Sequence, residues 1–82
     1  MAINDIKKQQ MANRFEAARV VLKLPKEQLY GELETTKHIY KHMLMGKKNL
    51  PFPWVKHMEE TYNVSQNWIY SGKGDMFSKA AI

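Results

Sequence analysis

An all-α domain of five short helices is the fold class this sequence predicts. Three observations carry it. Apolar residues recur at helical spacing, helix caps and breakers divide the chain into short blocks, and no alternating strand pattern of useful length occurs. With 82 residues there is room for one domain and no more. Internal repeats and low-complexity segments are absent.

The first helix is expected over residues 5–23. Met11, Phe15, Ala18 and Leu22 fall at spacings of four, three and four, on one helical face. Pro25 ends that block and opens a second over residues 26–33, with Glu27 placed to suit the N-terminal dipole. Thr35-Thr36 supplies an N-cap for a third helix from Lys37, and Gly46 closes it. Its inner stripe is Tyr40, Met43 and Leu44. Pro51-Phe52-Pro53 starts a fourth helix through Tyr62, with Trp54, Val55 and Met58 inward and Asn63 left-handed at its end. Ser65 caps a fifth through Trp68, Ile69 and Tyr70, and Gly72 terminates it. Phe15, Phe52, Trp54 and Trp68 are the expected aromatic core. Met45, Met76, Phe77 and Ile82 stand at helix or chain ends, where a small core leaves them for a dimer interface.

The formal net charge is +5, and its distribution is one-sided. Residues 35–58 hold five lysines, all three histidines and no Asp or Glu; outside that window eight cationic residues face eight acidic ones. Such a window favours a polyanionic partner. The chain has no cysteine, which excludes a disulfide scaffold and a Cys-based zinc site. No apolar run is long enough to cross a membrane, and residues 1–10 lack the apolar region of a signal peptide, so the expected location is the cytoplasm.

Catalysis finds no support. Ser65, Ser71 and Ser78 fall at caps and in the tail, and Glu59-Glu60 are adjacent on a helix and diverge. Gly72-Lys73-Gly74 has no helix start behind it, so it is no phosphate loop. His38 and His42 have a spacing that can hold zinc, but the helix lacks the Glu of an H-E-x-x-H motif and Lys41 lies beside the pair. No enzyme activity, cofactor, metal or small-molecule substrate is expected.

Residues 14–76 resemble phage CI-type repressor helix-turn-helix domains, a branch of the Cro/CI-like family. The resemblance rests on Arg14-Phe15-Glu16-Ala17-Ala18-Arg19, on Leu24-Pro25-Lys26-Glu27-Gln28-Leu29 and on Leu50-Pro51-Phe52-Pro53-Trp54. It is most specific in the run Val64-Ser65-Gln66-Asn67-Trp68-Ile69-Tyr70-Ser71-Gly72-Lys73-Gly74, which combines a cap, a core Trp and two turn glycines. It implies a helix-turn-helix domain over residues 13–76, with residues 77–82 as a tail. It further implies a sequence-specific regulator of transcription, a repressor that binds double-stranded DNA as a homodimer.

The second helix of such a pair lies in the major groove. The resemblance puts Thr36, Lys37, His38, Lys41 and His42 against the groove, and Lys47 and Lys48 on the loop that follows. Three positions depart from the family pattern. Tyr30 replaces a small residue inside the second helix, which is expected to push the pair apart. Glu34 replaces the turn glycine, at about 1–2 kcal/mol for a left-handed side chain. Leu44 replaces an acidic residue that usually pairs with Arg19. The alternative reading is a protein-interaction module of the same fold, an antirepressor or phage-type inhibitor that no longer reads DNA. Structured RNA is a third partner, with only charge behind it. Residues 1–12 have two readings, a longer first helix or an arm, with Lys7 and Lys8 near a phosphate in either.

Overall fold

A computed structural model describes residues 3–78 of the chain. It contains helices α1 (Ile3–Val21), α2 (Lys26–Glu32), α3 (Lys37–Leu44), α4 (Phe52–Tyr62) and α5 (Gln66–Ser71). The all-α class and the order of the elements agree with the reading of caps and breakers. Residues 3–12 are helical and lengthen α1, and the helix stops two residues before the expected end at residue 23. Among the described residues no helix is long and apolar enough to cross a membrane.

Helix ends explain these boundaries. α1 is closed by Lys23, which is left-handed at φ 57°. There the Lys23 N–H donates to the Val20 carbonyl and the Leu24 N–H to the Arg19 carbonyl. This pair of reversed bonds satisfies carbonyls that the helix leaves open. The same closure follows α2, where the Glu34 N–H donates to the Gly31 carbonyl and the Thr35 N–H to the Tyr30 carbonyl. It recurs after α3, around Gly46 at φ 76°. The left-handed Glu34 expected in the turn is present, at φ 54°. At the N-termini, the Thr36 hydroxyl accepts from the Ile39 N–H and the Ser65 hydroxyl accepts from the Trp68 N–H.

Phe15 of α1 lies at the centre of the core, fully buried. Its ring centroid is 6.2 Å from those of both Tyr40 on α3 and Trp54 on α4. Tyr40 and Trp54 stack at 5.8 Å with 19° between their planes. Met43, Val55, Met58, Val64 and Ile69 close around this cluster. Burying each such side chain is worth about 1.5–3 kcal/mol. α5 is fastened from α1: the Arg14 guanidinium donates to the carbonyls of Ile69 at 2.7 Å and Tyr70 at 3.1 Å. Those are carbonyls of the last turn, where a cation also suits the helix dipole.

Two core expectations need correction. Phe52 is 54% exposed, because it is the first residue of α4 and projects away from the stripe that Trp54, Val55 and Met58 bury. Trp68 is half-buried and packs against the edge of the core. The chain end is also more engaged than its weak signals imply. Val64 and Phe77 form an isolated antiparallel bridge, with Ser65 N–H to the Met76 carbonyl at 2.8 Å. Met76 and Phe77 therefore pack on their own chain's core, whereas Met45 stays 48% exposed. Ile82 lies outside the described residues.

Glu34→Gly should raise stability by about 0.5–1 kcal/mol. Relief of left-handed strain outweighs the extra freedom glycine gains in the unfolded chain. Urea denaturation of the two proteins checks this, and an unchanged or lower midpoint would show that Glu34 carries no strain.

Candidate nucleic-acid interface

α3 presents two opposed faces. Tyr40 and Met43 are buried, while Lys37, His38, Ile39 and Lys41 are exposed and His42 is half-buried. The outer face therefore holds cationic, neutral polar and one apolar side chain, and no carboxylate. Thr36 begins this face as the N-cap, exposed. Its oxygen accepts the Ile39 N–H at 3.3 Å, which leaves its own O–H free to donate outward.

The rotation of α3 is locked from beneath. The Tyr40 hydroxyl donates to Glu16 Oε1 at 2.8 Å. Arg19 grips the same carboxylate with Nε at 2.8 Å and Nη2 at 2.7 Å, and its Nη1 donates to the Leu24 carbonyl at 2.8 Å. Arg19 takes its partner from its own helix, and Tyr40 joins that pair to α3. Burial acts to raise the Glu16 carboxyl, but the bonds from Arg19 and Tyr40 outweigh it and hold it below its ordinary value. Burial, reinforced by the Glu16 bond, pushes the Tyr40 phenol upward. Tyr30 of α2 leans on the same group, its ring centroid 5.3 Å from that of Tyr40.

A second clamp holds the far end of α3. Gln9 of α1 donates from Nε2 to the Leu44 carbonyl at 2.6 Å and to Asn13 Oδ1 at 2.9 Å. A Cβ on Gly46 would come within 3.0 Å of Gln9 Oε1, so this turn tolerates glycine on two counts, its φ and its neighbour.

The seven residues expected at the interface fall into two groups. Thr36, Lys37, His38, Lys41 and His42 lie together on α3. The His38 and His42 rings are neighbours, with centroids 4.2 Å apart. Partial burial, then the charges of His38, Lys47, Lys48 and Lys41, push the His42 imidazole below its ordinary value. Lys47 and Lys48 form the second group, on the loop beyond Gly46. They line an open cleft of about 310 Å³ with Lys8, Ile39, Asn49 and Pro51.

Ile39 is a member that the sequence reading did not assign. It is 38% exposed on the outer face, and its only signal was an apolar residue outside the inner stripe. Lys8, expected near a phosphate, is brought to the loop by the fold. The third histidine of the basic window belongs elsewhere. His57 Nε2 donates to Glu32 at 2.7 Å, and the Tyr62 hydroxyl donates to the same carboxylate, which joins α2 to α4. Among the described residues the carboxylates that meet a basic side chain are Glu16 with Arg19 and Glu32 with His57, so no carboxylate neutralises the lysines of α3 or its loop. The arrangement can bind an extended anion by charge and by hydrogen bonds from Thr36, His38 and His42.

No family model, curated protein or solved structure matches this chain.

Tyr40→Phe should lower stability by about 1–2 kcal/mol near neutral pH, the value of a part-buried bond to a charged group. The deficit has a set pH dependence. The Glu16 carboxyl is depressed below 4.5, so its bonds contribute fully above that value and fade as pH falls through the folded value. Urea midpoints of wild type and variant should therefore converge in acid, and a deficit that is constant with pH would contradict the assignment.

Proposed function

We propose that this chain is a sequence-specific double-stranded DNA-binding regulator of transcription, a phage-like repressor that reads duplex through a helix-turn-helix formed by α2 and α3. The observation that carries the reading is the outer face of α3. It is free of carboxylates, it continues into Lys47-Lys48, and it is held at a fixed rotation by Tyr40 and Gln9. A four-residue turn, 33–36, separates the two helices, which is the length such a unit uses.

In this reading Lys37, Lys41, Lys47 and Lys48 meet phosphates, which fix position without choosing sequence. Thr36, His38 and His42 face base edges, and Ile39 offers an apolar contact for a thymine methyl group. The face has no Arg, Asn or Gln, so the bidentate readings of guanine and adenine are missing. Sequence preference then rests in part on duplex shape. A homodimer on a near-palindromic site would set two copies of α3 about 34 Å apart. Repression would follow from occupying the site.

A second reading draws on Met45 and Phe52, which are 48% and 54% exposed. Large apolar side chains left in solvent suit a protein partner. This favours a helix-turn-helix-fold interaction module, an antirepressor or phage-type inhibitor.

Duplex binding measured across a salt series separates the two. With about five phosphate contacts, log K should fall against log salt with a slope of roughly −4 to −5. A pool of random duplexes should yield an enriched sequence, and Lys37→Glu with Lys41→Glu should abolish binding. Unchanged binding by that double variant, or a flat salt response, would refute the DNA reading and favour the protein partner.

A further inference from the structure

The first turns of α1 run past the loop that follows α3, and three open clefts mark the junction. Lys8 borders one with Ile39, Lys47, Lys48 and Asn49. It borders another with Met45, Gly46 and Lys47, a cleft of about 610 Å³. Lys7 and Lys8 border the third with Met11 and Asn49. Residues distant in sequence thus share one cationic wall. Gln9 makes the placement stable, since its bond to the Leu44 carbonyl ties this part of α1 to the end of α3. Among the described residues no Asp or Glu lines any of the three clefts. Asp5 is the one carboxylate in the sequence before Glu16, against Lys7 and Lys8 there and Lys47 and Lys48 on the loop.

We propose that Lys7 and Lys8 of α1 join Lys47, Lys48 and Asn49 in a backbone-gripping wall that holds a DNA strand beside the groove α3 enters. The inference rests on the reading of α3 as a duplex-binding helix. Its new content is that Lys7 and Lys8, expected near a phosphate, share one binding wall with the loop beyond α3, and that this wall takes a phosphodiester strand. Two features point to a chain of phosphates over a single small anion. Lys8 borders all three clefts, so the charges are spread over several adjoining clefts and not gathered in one. The clefts are also open, and exposed Lys7, Lys47 and Lys48 suit successive backbone charges. Lysine acts as a point charge with rotatable donors, so the wall adds affinity and salt dependence without sequence choice.

The test compares Lys7→Gln/Lys8→Gln with the charge-matched control Lys23→Gln/Lys56→Gln, whose lysines lie at the other end of α1 and on α4. Binding is read by fluorescence anisotropy over a salt series, on a selected and on a random-sequence duplex. Each lost phosphate contact removes about 0.9 from the slope of log K against log salt, so the first variant should be flatter by about 2 on both duplexes. The control should keep the wild-type slope, and Lys7→Arg/Lys8→Arg should restore it. Equal slopes for the first variant and the control would overturn the proposal while leaving α3 as the DNA-binding helix. Failure of the wild type to bind either duplex would overturn both.

Discussion

The hydroxyl of Tyr40 reaches across the core to the carboxylate of Glu16, and the rotation of α3 depends on that contact. A helix of eight residues has little stability of its own. Its orientation must come from what it packs against. The Tyr40 ring is stacked on Trp54 and tilted against Phe15 and Tyr30, which fixes its position in the core. The bond to Glu16 then fixes its tip, and Arg19 holds Glu16 in place. Once Tyr40 points inward, helical geometry turns His38 and His42 to the opposite side and Lys41 to the flank, while Lys37 is exposed as the first residue of the helix. A purely apolar anchor would bury α3 equally well but would leave its rotation less defined.

Left-handed residues set the spacing of the elements. Lys23, Glu34 and Gly46 each end a helix with the same pair of reversed bonds, so the first three helices are joined by tight turns. Only one of the three is glycine. The strain at Lys23 and Glu34 persists because the packing of α1, α2 and α3 on the aromatic cluster overdetermines it. At Gly46 a side chain would meet Gln9, so that turn has no such latitude. Tight turns bring α1 against the end of α3, and that closeness places Lys8 beside Lys47.

Much of this was legible in the sequence. Thr36, Ser65, Asn63 and Gly72 are cap residues whose local chemistry decides their conformation, so helix boundaries followed from them. Phe15, Trp54, Val55 and Met58 lie on helical stripes, and stripes identify core. Phe52 was misread because aromatic character says nothing about direction at a helix N-terminus, where the stripe has only begun. Lys23 was missed because lysine carries no left-handed signal; its conformation is imposed by packing. At the proposed interface, charge patterning pointed to the basic window of residues 35–58, and the resemblance picked out the seven residues on α3 and its loop. Ile39 was not found, because it looks like a core residue, and the loop residues that Lys8 meets are set by tertiary structure alone. The link from Glu16 to α3 was equally invisible, since the Tyr40 hydroxyl that shares this carboxylate with Arg19 comes from far along the chain.

The central claim is that the face opposite Tyr40 is the surface that meets DNA. A titration of isotope-labelled protein with duplex, followed by amide NMR, tests it residue by residue. Shifts should concentrate on residues 36–42 and 47–49, with α4 beyond its first turn and the buried side of α5 nearly silent. Shifts centred on α4 or α5, or none on α3 at saturating duplex, would contradict it.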